Sequence, residues 1–236
     1  MHSQMKNAGG SIVAFLDIGT NSVRLLVVRI NPNHSYTTLT EQKEMVRLGE
    51  GEFSRRHLQA AAMERTALVC RKFVDLAHSF GAESLTAVAT SATREAVNQE
   101  EFLHLLKHDA GLDVQVISGR EEARLIFLGV TSGIHLDDRL AVLIDIGGGS
   151  TELSVGDQRH YHYLDSLKLG AIRLTAEYLP DHTGPVTAKQ YARIVEYVRN
   201  AAVRTVQRVR QYPYELGIGT SGTIENLADV AARLVS

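Results

Sequence analysis

The chain has 236 residues, of which 44% are hydrophobic, so it is long enough to fill two cores of ordinary size. With 25 basic and 27 acidic residues its formal net charge is -2, which excludes a global basic field for nucleic acid or another polyanion. The single cysteine, Cys70, excludes an intramolecular disulfide, and the helical pattern around it predicts a buried thiol. No apolar run approaches the roughly 20 residues of a membrane span, and residues 1–10 lack a signal-peptide core. We therefore expect a cytoplasmic protein with no membrane or nucleic-acid partner.

Strand and helix patterns alternate through the first half of the chain. Short apolar runs rich in β-branched residues predict strands, and apolar residues at helical spacing predict helices between them. Gly81 and Gly111 are placed to end two of these helices, and Ser118 is placed to begin a third. The predicted strands are 12–16, 23–30, 85–89 and 114–117, and the predicted helices are 58–80, 98–111 and 118–133.

The second half repeats the same alternation. Thr187 followed three residues later by Gln190 predicts a capping box at the start of a long helix. A boundary inside or just after the helix 118–133 would give a first domain of residues 1–129 and a second domain of residues 130–236. The predicted strands are 140–144, 151–155 and 215–218, and the predicted helices begin at Thr187 and at about residue 224.

One short signature occurs in both halves. Asp-Ile-Gly-x-x-Ser begins at Asp17 and again at Asp145, each time between an apolar strand and a second strand. Such a turn can arise by chance, but the matching context on both sides favours a duplicated domain.

The two turns have the chemistry of phosphate and metal binding. Glycines let backbone amides approach phosphate oxygens, and nearby hydroxyls can donate further hydrogen bonds. An aspartate at each strand end suits a hydrated magnesium ion. A structural hairpin explains either turn alone equally well. Facing each other, the two turns would form a clamp with Asp145 and Asp17 for metal and, for phosphate, Gly19, Thr20, Asn21, Ser22, Gly147, Gly148, Gly149, Ser150 and the hydroxyl of Thr151.

A third glycine-rich stretch, residues 217–223, follows the last predicted strand. In this order the three stretches resemble the phosphate loops of the actin-like ATPase superfamily. Residues 47–51, 89–96 and 117–123 further resemble signatures of the exopolyphosphatase / guanosine pentaphosphate phosphohydrolase family. This resemblance implies an α/β fold of two related actin-like (ribonuclease H-like) domains with a cleft between them. It also adds Gly219, Ser221 and Gly222 to the expected phosphate-binding residues.

The stretch that begins at Ser118 contains the candidate catalytic base. Ser118 and Glu121 are spaced as a capping box, which would occupy Glu121 and leave Glu122 as the available carboxylate. A helix N-terminus should keep Glu122 ionised and so able to activate a water molecule. The family resemblance implies the same role for Glu122. The alternative is a solvated glutamate in the first turn of a helix.

Two arginines complete the candidate site. Arg94 and Arg120 each follow a predicted strand, and a guanidinium matches the geometry of phosphate oxygens. Arg94 falls within a family signature and is expected to neutralise charge at the reacting phosphate, whereas Arg120 is expected to bind substrate phosphates or to be a surface residue.

The resemblance implies Mg²⁺-assisted release of the terminal phosphate from inorganic polyphosphate or guanosine pentaphosphate, and it is compatible with a homodimer. A non-catalytic sensor of these polyanions and a nucleotide-dependent kinase or ATPase are the alternatives. Relatives continue beyond the third glycine-rich stretch, so the second domain is either shortened here or compact.

Overall fold

Two β-sheets with matching strand order form the frame of the molecule, in a computed structural model that describes residues 10–33, 35–180 and 183–235. The strands of the first sheet are β1 (Ile12–Ile18), β2 (Ser22–Ile30), β3 (Tyr36–Met45), β4 (Ser84–Ala89) and β5 (Val114–Val116), in the order β3-β2-β1-β4-β5. Those of the second are β6 (Ala141–Ile146), β7 (Thr151–Gly156), β8 (Tyr161–Leu167) and β9 (Leu216–Thr220), in the order β8-β7-β6-β9.

Helices connect and cover these sheets. Buried side chains of the second and fourth helices pack on the first sheet and form the larger core. Phe127, from the fifth helix, is buried with Leu143 in the core of the second sheet. The helices are α1 (Glu52–Arg55), α2 (Ala60–Ser79), α3 (Ser91–Glu95), α4 (Gln99–Ala110), α5 (Gly119–Gly133), α6 (Ala171–Tyr178), α7 (Ala188–Val209) and α8 (Ser221–Val235).

Strand pairing supports the internal duplication. β1 pairs antiparallel with β2 and parallel with β4, and β6 pairs in the same two ways with β7 and β9. The register also matches, because Asp17 lies opposite Arg24 in the first sheet and Asp145 lies opposite Glu152 in the second. The α/β fold of two related sheets expected from the sequence is therefore confirmed.

The assignment of α5 bears on the domain boundary. This helix packs against β7 and β8, so a division made by packing would precede α5 rather than fall within it. The boundary between residues 129 and 130 stays a prediction.

Several elements were absent from the sequence-based prediction. β3 and β8 are edge strands and carry many polar residues, so they lack the apolar run that identified the other strands. The last helix begins at Ser221 rather than at residue 224, because β9 continues to Thr220 and Ser221 itself turns the chain with a φ of 74°.

Other expectations can be checked directly. Cys70 is fully buried, and burial raises the pKa of its thiol to about 12, as expected of a core residue. The capping box of Thr187 and Gln190 is present at the start of α7. Among the described residues, no helix is long and apolar enough to cross a membrane. Apart from Gly10, the segment 1–10 lies outside the described residues.

Candidate active site

The two Asp-Ile-Gly turns have the same backbone geometry. The amide of Gly19 donates to the carbonyl of Ser22 at 3.0 Å, and the amide of Gly147 donates to the carbonyl of Ser150 at the same distance. The first turn therefore closes a tight connection between β1 and β2, and the second closes one between β6 and β7. A glycine begins each hydrogen-bonded turn. The repeated signature thus produces a repeated structure.

Neighbouring segments hold each turn in place through its carbonyl groups. The carbonyl of Thr20 accepts from Gly49 at 2.9 Å, within the stretch 47–51 that carries one of the family signatures. The carbonyl of Gly148 accepts from Ile172 at 2.9 Å and from Arg173 at 3.1 Å, at the start of α6. Each turn is thus fixed by a segment that follows its hairpin in the sequence.

The two turns face each other at close range. A Cβ built on Gly149 would lie 2.6 Å from the Thr20 hydroxyl oxygen and 2.6 Å from that of Ser91. A Cβ on Gly148 would lie 3.2 Å from the Thr20 Cβ. The glycines are therefore required here by the approach of the opposite turn as well as by any ligand. Thr151 differs from its expected role, because its hydroxyl donates to the carbonyl of Leu169.

The third glycine-rich stretch contributes two hydroxyl groups beside the second turn. Thr220, the last residue of β9, donates its hydroxyl to the carboxylate of Asp145 at 2.7 Å. Ser221 also hydrogen-bonds that carboxylate. Gly219 lies within β9 and Gly222 in the first turn of α8. Within the third stretch, Thr220 and Ser221 therefore contact the second turn, by hydrogen bonds to the carboxylate of Asp145.

Glu122 and Arg94 form an ion pair beside the turns. Arg94 Nη1 donates to Glu122 Oε2 at 3.1 Å and to the carbonyl of Ile117 at 2.8 Å. Both side chains are largely buried, with 22% and 15% of Arg94 and Glu122 exposed. The Ile117 contact fixes the guanidinium just before α5, so it holds the glutamate at the helix start.

The capping interaction at α5 is only half of the expected box. The Ser118 hydroxyl accepts from the amide of Glu121 at 3.1 Å, as expected. The carboxylate of Glu121 does not reach back, because it binds Arg124 at 2.7 and 2.8 Å on the helix surface. Glu121 is still occupied elsewhere, and Glu122 remains the carboxylate that points to Arg94.

The expectation that the helix N-terminus keeps Glu122 ionised was wrong in its direction. The pKa of Glu122 is raised to about 7, mainly by burial and in smaller part by the negative charges of Asp17 and Asp145. Arg94 opposes the shift without cancelling it. Loss of water around the carboxylate is the largest cause of the rise, and it acts opposite to the effect expected of a helix N-terminus. A carboxyl with this pKa can exchange a proton near neutral pH.

Glu152 is a site residue that sequence reasoning missed. It is only 3% exposed, it accepts from the Ser166 hydroxyl at 2.8 Å, and burial together with the charge of Glu122 raises its pKa to about 8. Its one sequence signal is its position, which matches that of Arg24 in the first repeat.

The two aspartates sit differently in the cleft. Burial raises the pKa of Asp17, with Arg24 opposing and Asp145 adding to the shift, although Asp17 keeps contact with solvent. Burial also raises the pKa of Asp145, while its hydrogen bond from Thr220 opposes the shift. Asp17 thus has protein close around it while its side chain remains open to solvent.

The chemistry of these carboxylates suits the magnesium ion expected from the sequence, which stays a prediction. They raise one another's pKa, so a cation among them would relieve their repulsion. In the part of the chain that the structure describes, no three Asp, Glu, His or Cys side chains are grouped as ligands of one ion. Magnesium fits such a place, because it commonly uses one or two carboxylates and keeps water and substrate oxygens as its other ligands.

Arg120 and Asn21 were also predicted to bind phosphate. Arg120 lies in the first turn of α5 with an exposed side chain. The carbonyl of Asn21 accepts from the amides of Val46 and Arg47, both at 2.9 Å, so its backbone has a structural part in the first turn. Their roles toward a substrate stay predictions.

Comparison with known proteins agrees with this geometry. The chain is 35% identical over 227 residues to a guanosine-5'-triphosphate,3'-diphosphate pyrophosphatase of Photobacterium profundum. The match covers 95% of this chain and 44% of the relative. The chain thus spans less than half the length of that relative. An exopolyphosphatase structure from Cytophaga hutchinsonii superimposes with a TM-score of 0.88 at 28% identity, covering 93% of this chain and 70% of that one.

A structure of the Aquifex aeolicus member of the Ppx/GppA family superimposes with a TM-score of 0.73 at 30% identity, covering 94% of this chain and 69% of that one. The family model for Ppx/GppA phosphatases matches residues 26–234, which include the whole second sheet, the second and third glycine-rich stretches, and the first sheet except β1 and the start of β2. The first Asp-Ile-Gly turn precedes the match. The chain belongs to the Ppx/GppA phosphatase family.

Proposed function

We propose that this chain carries the catalytic cleft of a phosphohydrolase that releases the terminal phosphate of inorganic polyphosphate, guanosine pentaphosphate or both. The observation that carries the proposal is the Glu122–Arg94 pair, buried beside two facing glycine turns and the carboxylate of Asp145. Relatives named as an exopolyphosphatase and as a guanosine-5'-triphosphate,3'-diphosphate pyrophosphatase support the same chemistry.

In the proposed reaction, Glu122 acts as general base. Its ionised carboxylate accepts a proton from water as the water oxygen attacks the terminal phosphorus and the bond to the bridging oxygen breaks. The bridging oxygen leaves with the shortened substrate. A base with a pKa of about 7 balances the fraction ionised at neutral pH against its affinity for the proton.

The remaining residues would position and neutralise the phosphates. Arg94 can present its second guanidinium nitrogen to the reacting end while Nη1 holds Glu122, which fits the planar fork of arginine. The amides and hydroxyls of the two turns would bind the phosphate oxygens. Positioning and charge stabilisation supply most of the acceleration in phosphoryl transfer.

A magnesium ion is part of the proposal. Asp145, with Asp17 or Glu152 beside it, would hold the ion, whose charge would neutralise the phosphate oxygens as the bond breaks. The support lies in the crowded carboxylates, whose pKa values are raised by burial and by one another. The cytoplasmic location and a homodimer also stay predictions.

The test is phosphate release from polyphosphate, guanosine pentaphosphate and ATP, measured in parallel. We expect release from one or both of the first two, with little from ATP, and loss of that release in Glu122→Gln. Preferential hydrolysis of ATP would favour the nucleotide-dependent alternative. Tight binding of either polyanion without any turnover would favour a sensor.

A further inference from the structure

Arg173 is a buried arginine outside the residues assigned to the reaction. It lies in the first turns of α6, and only 9% of its side chain is exposed. Its Nε donates to the carbonyl of Gly149 at 2.7 Å, so the guanidinium holds the second glycine turn. The cation also lies over the ring of Phe53, with 4.1 Å between the guanidinium carbon and the ring centroid.

The other nitrogens of the same guanidinium hold a different segment. Nη2 donates to Glu95 Oε1 at 2.5 Å and to the Ser91 hydroxyl at 3.2 Å, and Nη1 approaches Glu95 Oε2 at 3.4 Å. Ser91 and Glu95 are the first and last residues of α3. The residue between them that matters for the reaction is Arg94, which binds Glu122.

We propose that Arg173 is a positioning residue that couples the second phosphate turn to α3, so that Gly149 and Arg94 keep a fixed relation during the reaction. Resting on the proposed function, this role gives a physical link between the part of the cleft that binds phosphate and the part that holds the base. The link runs from Gly149 through Arg173 and Glu95 to Arg94, alongside the direct approach of Gly149 to Ser91 in α3.

The shape of the guanidinium is what makes the link. The three nitrogens of the guanidinium lie in one plane and bind two segments, the second glycine turn and α3. A lysine ammonium cannot reproduce that planar arrangement of donors. Lys168 also binds Glu95, at 2.7 Å, but 68% of its side chain is exposed. Because its ammonium stays largely in water, this contact should contribute less than that of the buried guanidinium. Lys168 therefore supplies a matched control that shares the carboxylate but not the turn.

The kinetic arm compares Arg173→Lys, Arg173→Met and Glu95→Gln with Lys168→Met. A misplaced catalytic group typically costs up to about 100-fold. We expect kcat for polyphosphate to fall roughly 10- to 100-fold in the first three and to change little in Lys168→Met, with KM changing less than kcat. The double variant Arg173→Met/Glu95→Gln should lose no more than the worse single variant, because both break one link. Unchanged kcat in Arg173→Lys, or full additivity in the double variant, would overturn the proposal.

The second arm measures amide hydrogen exchange and needs no turnover. In Arg173→Lys, peptides covering residues 147–150 and peptides covering α3 should both exchange faster, while peptides from α2 stay protected. Protection retained in either segment would overturn the coupling, and equal loss in α2 would show general destabilisation instead. If the unaltered chain releases phosphate from none of the substrates, the proposed function fails, while the exchange result still decides whether the two segments are coupled.

Discussion

Replacing Glu122 with glutamine should separate the catalytic and structural consequences of burying this carboxylate. The amide keeps the size of the side chain and can still accept from Arg94, but it cannot take a proton from water. Loss of a general base typically lowers the rate by roughly 10²- to 10⁴-fold. We therefore expect kcat to fall by at least about 10²-fold with substrate binding little changed.

The same substitution should raise stability in alkaline solution. The pKa of Glu122 is about 7 in the folded chain against an ordinary value of 4.5, so the folded state binds more protons between these two pH values. Stability is then lost as pH rises through this window, and at about 1.4 kcal/mol per pH unit the ionised carboxylate costs about 3 kcal/mol above pH 7. Glu122→Gln should escape that cost at pH 8 and show no advantage near pH 4.

Two assays check this reasoning, the pH profile of kcat/KM and chemical denaturation at pH 4 and pH 8 with a chelator present. In the unaltered chain, kcat/KM should fall about tenfold per pH unit below pH 7, because the base becomes protonated. The matched control is Glu121→Gln, whose carboxylate binds Arg124 on the helix surface and should affect neither measurement strongly. An alkaline loss of stability in Glu122→Gln equal to that of the unaltered chain would refute the assignment of the raised pKa.

Three further predictions concern other parts of the molecule. Chelation of magnesium, or Asp145→Asn, should abolish most phosphate release, and full activity after exhaustive chelation would exclude the metal. Gly149→Ala should lower both activity and Tm, since its Cβ would lie 2.6 Å from two hydroxyl oxygens, and unchanged kinetics would show that the turns can separate freely. Because a formal net charge of -2 gives this chain no general attraction for a long polyanion, kcat/KM should level off at short polyphosphates, whereas a rise continuing into hundreds of phosphates would reveal a basic track.

The fold was predictable where the hydrophobic pattern was strong. β1, β2, β4, β6 and β7 are marked by apolar runs, and α2 and α7 by helical spacing with clear ends. β3 could not be found in this way because it is an edge strand with mostly exposed, polar residues. Pairing with β2, rather than its own composition, makes it a strand.

The candidate site was predictable only where residues lie in a local motif. The two glycine turns and Glu122 are identified by neighbours in sequence, whereas Arg173 reaches Glu95 from 78 positions away. Nothing around Arg173 in the sequence signals that contact, because it depends on how the two sheets approach each other. The direction of the shift in the pKa of Glu122 was predicted wrongly for a related reason. Burial depends on the whole fold, whereas the helix N-terminus is visible in the local sequence.

Because the two sheets share one register, residues at matched positions on the two sides of the cleft can be compared directly. Duplication alone would place identical groups on its two sides, but opposite Asp17 stands a cation, Arg24, and opposite Asp145 stands an acid, Glu152. The carboxylate of Asp17 thus has a cation across the strand pair, whereas that of Asp145 has a second acid there, so negative charge gathers on the second side. The two ends of a linear polyphosphate are equivalent, so for the proposed substrate unequal sides would decide only which way the bound chain runs through the cleft. A change of charge at one repeated position, from Arg24 to Glu152, therefore makes the two sides of the cleft unequal.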